Sequence, residues 1–239
     1  MINTDLIMIS WMRSVDEVGF YSAAQKPILV FYTLASLFAT SIFPALTKTL
    51  KISAEKGGRI LEKAVSMSLL VAIPLSLGGI ILADQIINLL FGAQYLASIT
   101  SFQILMLTIL IIFPSVIVSN SILAHEQQKN FITFSMIGAI GNIIFNFLLI
   151  PTFGIAGASA STVITQLISN YFIWNKMQSI NPFSVLPNIK KMIVAGVLMA
   201  MVTCALKAGG LNIIINIILS MGVYVGLLKI QKEKLLNIF

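Results

Sequence analysis

The chain has 239 residues, of which 58% are hydrophobic and only 10% charged, with a mean hydropathy of +0.98. Soluble domains carry roughly 45–50% apolar and about 25% charged residues, so polar surface is too scarce here to face water all round, and most enzyme classes are excluded along with the soluble domain. The net charge of +7 would suggest nucleic acid in a soluble protein but reads here as membrane orientation, and the single Cys204 leaves no disulfide framework and no Cys/His metal cluster.

The first apolar run, residues 2–12, contains Asp5 and is closed by Arg13. It is too short to cross about 30 Å of hydrocarbon and reads as the tail of a longer helix, so Met1 is expected to lie within or just before a helix of a longer protein. A secretory signal would need a basic start and a small-residue cleavage site, and this run has neither. Asp5 is expected nearer the cytoplasmic side, as a candidate to carry a coupling proton or Na⁺; an interfacial position is the alternative. Arg13, Asp16 and Glu17 form a cluster at the turn into the next segment.

Runs of spanning length follow at 27–46, 67–90, 102–124, 131–150, 155–174 and 211–228. Each can satisfy its backbone in lipid only as a helix. The shorter run 192–206 is flanked by Lys190, Lys191 and Lys207, which can snorkel to the headgroups and let it cross. The fold expected is an all-α integral membrane bundle of about eight segments. The connection 47–66 mixes Ile52, Ile60, Leu61 and Val65 with basic residues, which suggests an amphipathic surface helix on anionic lipid. With the chain crossing at every segment, twelve of fifteen basic residues fall on one side. By the positive-inside rule that side is cytoplasmic, and so is the C-terminus.

Within the membrane few residues can do chemistry. Ser22, Lys26, Thr33, Ser36 and Thr40 recur at helical spacing along one face of the second segment. They describe either a cationic stripe lining a wet cavity, with Lys26 binding an anion as a point charge, or a snorkelling lysine above hydroxyls bonded back to their own helix. Asn142 and Asn146 are an i, i+4 pair; Ser159, Thr162, Gln166 and Asn170 form a second polar row. Either set could line a solute path or join helices by hydrogen bonds. Asp84 reads as an interfacial carboxylate and His125 as a solvated loop residue. No catalytic or metal-ligating set emerges, and no cofactor is called for.

Several stretches together resemble a known family. Val18-Gly19-Phe20-Tyr21-Ser22-Ala23-Ala24-Gln25-Lys26, running on to Ile42-Phe43-Pro44-Ala45-Leu46, is similar to the signature of polysaccharide and O-antigen repeat-unit flippases of the multidrug/oligosaccharidyl-lipid/polysaccharide exporter superfamily. So are Leu90-Phe91-Gly92-Ala93-Gln94-Tyr95 with Phe102-Gln103-Ile104-Leu105, and Gly141-Asn142 with Asn146, Leu149-Ile150-Pro151 and Gly154-Ile155-Ala156-Gly157-Ala158. The resemblance implies the second lobe of a two-lobe exporter over residues 1–177, with two added C-terminal helices over 178–239. It implies transport of an undecaprenyl-pyrophosphate-linked oligosaccharide across the inner membrane by alternating access, for surface polysaccharide such as O-antigen lipopolysaccharide.

The substrate-binding candidates under that resemblance are Lys26, Thr33, Ser36, Thr40, Asn142, Asn146, Gln166 and Asn170, with Asp5 as the ion-coupling candidate. Flippases of this type line the cavity with cations for the pyrophosphate, which favours the functional reading of Lys26. The partners implied are the lipid-linked oligosaccharide, membrane lipids, and polysaccharide polymerase and chain-length proteins, with no nucleic acid. Alternatives are a peptidoglycan-precursor flippase or a cation-coupled multidrug exporter of the same superfamily and, more distantly, a membrane glycosyltransferase or polymerase. The last needs carboxylates on long outer loops, and the outer loops expected here are short.

Overall fold

A computed structural model describes residues 2–50 and 53–231. Among these the helices are α1 (Ile2–Met12), α2 (Val15–Leu50), α3 (Ala54–Ile81), α4 (Ala83–Phe91), α5 (Ile99–Ala124), α6 (Gln128–Ile180), α7 (Leu186–Ala208) and α8 (Ile213–Ile230), with a 3₁₀ segment Ala93–Ser98 before α5. Six helical stretches are long and apolar enough to cross a membrane. The chain is therefore a multi-pass helical membrane protein, as its composition requires.

One of the six, α6, has 53 residues. At 1.5 Å per residue it would extend about 80 Å if straight, far beyond one bilayer. It bends at Gly154, where φ 56 and ψ −136 form a conformation that favours glycine over residues with a Cβ. Its limbs, 128–153 and 155–180, lie antiparallel: Ser161 Oγ donates to the Asn142 carbonyl at 3.2 Å and Ser169 Oγ to the Phe134 carbonyl at 2.9 Å. Close approach at the bend depends on Gly157, where an added Cβ would stand 2.3 Å from the Leu149 carbonyl oxygen. The limbs are the two spans expected at 131–150 and 155–174.

Contacts define the two ends of the bundle. Arg13 and Glu17 lie against Gly154, and Lys207 pairs with Asp84 at 2.6 Å. At the other end Gly58 touches Asn181 and Pro182, and the Ser184 amide donates to Glu62 at 3.4 Å. Arg13, Lys26 and Lys207 belong to the first half. Lys48, Lys56, Arg59, Lys63, Lys129, Lys176, Lys190, Lys191 and Lys229 gather at the second, hereafter the basic end. Lys51, Lys232 and Lys234 lie outside the described residues.

Three boundaries differ from the sequence expectation. α2 starts at Val15, not near 27, with Asp16 and Glu17 in its first turn, where acidic groups suit the helix dipole. The run 67–90 is not one span, because the helix breaks at Leu82 and α4 sets out separately with Ala83 and Ile87 buried. Finally, 54–66 is not a separate surface helix. Ser53 caps it, and Leu61, Ala64 and Val65 are buried, so these residues are the first turns of α3 itself, with Lys56, Arg59 and Lys63 outside. Ile52 lies outside the described residues.

The core has three parts. Ile9, Tyr21, Phe102, Met106 and Ile150 pack α1, α2, α5 and α6 near the Arg13 end; Leu46, Leu61, Val118, Ile122 and Met177 fill the basic end. Ile73, Met192, Met199 and Tyr224 fasten α7 and α8 to α3. α7 and α8 are further joined by Thr203 Oγ1 donating to Ser220 Oγ at 2.9 Å and Asn216 Nδ2 donating to the Thr203 carbonyl at 3.2 Å.

Candidate functional site

α1 presents one carboxylate to its neighbours, and the fold seals it completely. Asp5 is fully buried. Its Oδ2 accepts from Tyr21 Oη at 2.8 Å and Thr162 Oγ1 at 2.7 Å; its Oδ1 accepts from Asn142 Nδ2 at 3.0 Å and Asn146 Nδ2 at 2.6 Å. The donors come from α2 and from both limbs of α6. Asn142 and Asn146 are one helical turn apart and so address the same oxygen, while Thr162 is delivered by the bend at Gly154. An ionised carboxylate leaves water at a cost of several kcal/mol, and four donors are what makes that burial tolerable.

One polar atom of the cluster stays unused. Asn146 Oδ1 is buried with no hydrogen-bond partner among the described residues. A second unmatched oxygen, Gln166 Oε1, lies one turn beyond Thr162, where Gln166 Nε2 donates to Tyr32 Oη at 3.0 Å and Tyr32 Oη donates to Thr108 Oγ1 at 2.6 Å. Asn170 Nδ2 in turn donates to the Gln166 carbonyl at 2.8 Å.

The depth of Asp5 corrects the sequence expectation. It is seven residues from Met12 and level with Thr162, eight residues beyond Gly154. At 1.5 Å per residue these put it about 10–12 Å from the Arg13 end, not nearer the basic side. α1 ends at the Arg13 turn, so the few residues between Asp5 and that turn fix its level.

Lys26 is treated in the opposite way. It is exposed, with Thr33, Ser36 and Thr40 exposed along the same face of α2. It forms no hydrogen bond or ion pair within the described residues. Since α2 begins at Val15, Lys26 lies eleven residues, about 16 Å, along it, rather than at its start. Thr33 Oγ1 donates to the Leu29 carbonyl at 3.0 Å and Thr40 Oγ1 to the Ser36 carbonyl at 2.8 Å, so each hydroxyl keeps its acceptor lone pairs outward.

The polar residues singled out from the sequence therefore divide into three groups. Lys26, Thr33, Ser36 and Thr40 share an open face; Asn142 and Asn146 close on Asp5; Gln166 and Asn170 lie between the two, toward the basic end. Sequence reasoning placed Thr162 in a polar row but did not connect it to Asp5. It missed Tyr21, Tyr32 and Thr108 as network members, because a tyrosine in an apolar helix carries no periodic signal until its partner is known. Elsewhere, burial lowers the pKa of His125 at the end of α5, where the side chain is half-buried rather than solvated. Asp84 is paired rather than merely interfacial: burial is the largest influence and would raise its pKa, but the hydrogen bond and charge of Lys207 together with the backbone amides of Gln85 and Asp84 make the net shift downward.

A buried carboxylate within a bundle of spanning helices, served by donors from three helical segments, marks the candidate site of a multi-pass membrane protein. The comparisons narrow that class. The family profile of the lipid II flippase MurJ matches residues 18–231, and the chain belongs to that family; these flippases are transporters, not enzymes. The fold agrees: the chain superposes on a lipid II flippase MurJ in an inward closed conformation with a TM-score of 0.83 at 19% identity, over 98% of this chain and 50% of that one.

Among curated relatives, a probable low-salt glycan biosynthesis flippase of Haloferax volcanii is 25% identical over 168 residues, covering 69% of this chain and 35% of the relative. The uncharacterized membrane protein MJ1068 of Methanocaldococcus jannaschii is 32% identical over 178 residues, 71% of this chain and 34% of the relative. A putative O-antigen transporter of Shigella flexneri is 22% identical over 186 residues, 75% and 44% respectively. The chain thus spans between a third and a half of these relatives. The resemblance to lipid-linked glycan flippases read from the motifs is confirmed at the level of family.

Proposed function

We propose that this chain is the second six-helix lobe, residues 1–177, with an added helix pair, 178–239, of a flippase for an undecaprenyl-pyrophosphate-linked oligosaccharide. It works in the cell (inner) membrane by alternating access, with the basic end and the C-terminus in the cytoplasm. The observation that carries this is Lys26: a cation about 16 Å along a spanning helix, unpaired and heading a face of hydroxyls. At membrane depth an unpaired lysine is disfavoured by roughly 2.5–3.5 kcal/mol even on the mildest scale. A pyrophosphate passing along that face relieves the cost, and Thr33, Ser36 and Thr40 offer lone pairs to sugar hydroxyls behind it.

Asp5 is the coupling site. Its four donors hold a carboxylate that a proton or Na⁺ can neutralise. A bound cation would turn the Asn146 amide so that the now partnerless Oδ1 becomes a ligand beside Asp5. Because α1, α2 and both limbs of α6 meet on this one side chain, its charge state biases how they pack. Asn142 and Asn146 then serve the coupling ion rather than the sugar. Membrane lipids, polysaccharide polymerase and chain-length proteins are the partners this role entails.

A peptidoglycan precursor as cargo has the family name in its favour, and it presents the same pyrophosphate to Lys26. A cationic drug does not fit, because the exposed face offers a lysine and the carboxylate is sealed. The test is glycan export in the full transporter. Lys26→Ala is expected to lower it at unchanged protein level while Lys26→Arg largely retains it; undiminished export in Lys26→Ala would refute the role.

A further inference from the structure

Between α2, α5 and the second limb of α6 the structure holds a cavity of about 560 Å³ that opens to the surface. Its lining combines Tyr32, Ser115, Ser119, Asn120, Gln166, Ser169 and Asn170 with the apolar Ile112, Val116, Phe131 and Ile173. Such a volume accommodates a file of waters, each of which needs two to four polar partners. The adjoining cavity on α5 and α6 shares Ser115 and Asn170 with it but is otherwise walled by Leu110, Ile111, Pro114, Leu167, Tyr171 and Phe172, and it offers water fewer partners.

The polar cavity leads somewhere. Ser119 and Asn120 are within about a turn of the end of α5, at the basic end, whereas Gln166 is one turn from Thr162, which holds Asp5. Tyr32 accepts a hydrogen bond from Gln166 Nε2 at 3.0 Å. Gln166 is 95% buried, since only 5% of it is exposed, and its Oε1 has no partner. An orphaned buried oxygen at the junction of a cavity and a buried carboxylate is unfavourable unless something visits it.

We infer that this cavity is the route by which the coupling cation passes between Asp5 and the basic end, with Gln166 Oε1 as its intermediate ligand. The inference rests on the reading of Asp5 as the ion site. Hydrated Na⁺ and a proton carried on water share the same requirement, an oxygen-lined path, and both follow it: Asn120 and Ser119 at the mouth, Asn170 and Tyr32 along the wall, Gln166 at the throat, then Thr162 and Asp5.

The test uses the full transporter in liposomes, on a Cys204→Ser background because Cys204 is exposed. In the first arm Asn120→Cys and Asn170→Cys are treated with a membrane-impermeant charged thiol reagent from the basic side. Both are expected to react. Failure of both overturns the route and leaves Asp5 untouched. The second arm measures equilibrium binding of ²²Na⁺ and, separately, proton uptake, in wild type, Asp5→Asn and Gln166→Leu. Wild type is expected to bind one of the two ions, Asp5→Asn neither. Gln166→Leu is expected to keep the affinity but exchange the ion about tenfold more slowly, a change of one decade in barrier-crossing rate, and Gln166→Glu to restore exchange. Unchanged exchange in Gln166→Leu overturns the route alone. Absence of any Asp5-dependent ion overturns the reading beneath it, and the route with it. Should Gln166→Leu fail to fold, the thiol arm decides.

Discussion

Asp5 and Lys26 are carried on the first two helices, and the fold handles them in opposite ways. The acid is wholly buried and takes four hydrogen bonds from three helical segments; the base is exposed and takes none within the described residues. A group so fully satisfied from inside can be altered only by something small enough to enter, which suits an ion. A group left open needs a partner from outside the lobe, which suits a substrate. The two sites also differ in what they should reveal on mutation: Asp5 ties function to packing, and Lys26 separates them.

The largest effect is expected at Asp5. Asp5→Asn keeps the shape but removes the charge and turns one acceptor into a donor facing donors. Translocation should fall by on the order of a hundredfold, about 2.7 kcal/mol at 1.36 kcal/mol per decade, and a thermal melt in detergent should show destabilisation of about 1–3 kcal/mol from the unmatched groups. If the melt moves and transport does not, Asp5 is structural and the contrast with Lys26 collapses.

Lys26→Ala comes next. Export should drop about tenfold, with stability within about 0.5 kcal/mol of wild type, as for surface positions in general. A melt that falls along with export would mean that Lys26 has a packing role after all.

Gly154→Ala probes the scaffold that delivers Thr162 to Asp5. An alanine there must adopt positive φ, and its Cβ would stand 3.0 Å from Glu17 Oε2 and 3.2 Å from Arg13 Nη2. The cost should be about 1–3 kcal/mol, read from the melt, with ion binding at Asp5 weakened in parallel while the Lys26 face is spared.

The smallest effect belongs to the pair Lys207–Asp84, which is partly exposed and worth at most about 1 kcal/mol. The Asp84 pKa is lowered in the folded protein. Its contribution is therefore full above the ordinary carboxylate value of about 3.9 and is lost as pH falls through the lower folded value. Lys207→Met should remove that acid-side dependence from the melt and leave transport unaltered.

Much of this was legible in the sequence, and what was not has physical causes. Eight segments followed from apolar length, and the division of basic residues followed from their alternation between loops. Helix limits did not, because hydropathy registers the apolar stretch and not the helix: α2 extends over Val15 to Ser22, where Asp16 and Glu17 dilute the signal, and α3 absorbs basic turns whose buried side consists of Leu61, Ala64 and Val65. The break at Leu82 is invisible because apolar residues lie on both sides of it. Within the site, Lys26 and its hydroxyl row were readable as one face of one helix. The Asp5 cluster was not, since its members stand up to 157 positions apart and only the bend at Gly154 brings Thr162 back to Asn142 and Asn146.

The most direct measurement is translocation of a labelled undecaprenyl-pyrophosphate-linked oligosaccharide into liposomes holding the full transporter, with and without an imposed Na⁺ or proton gradient. Wild type should be accelerated by one of the gradients; Lys26→Ala should be slow but still gradient-responsive, and Asp5→Asn should be slow and indifferent to both. A gradient response that survives in Asp5→Asn would contradict the account.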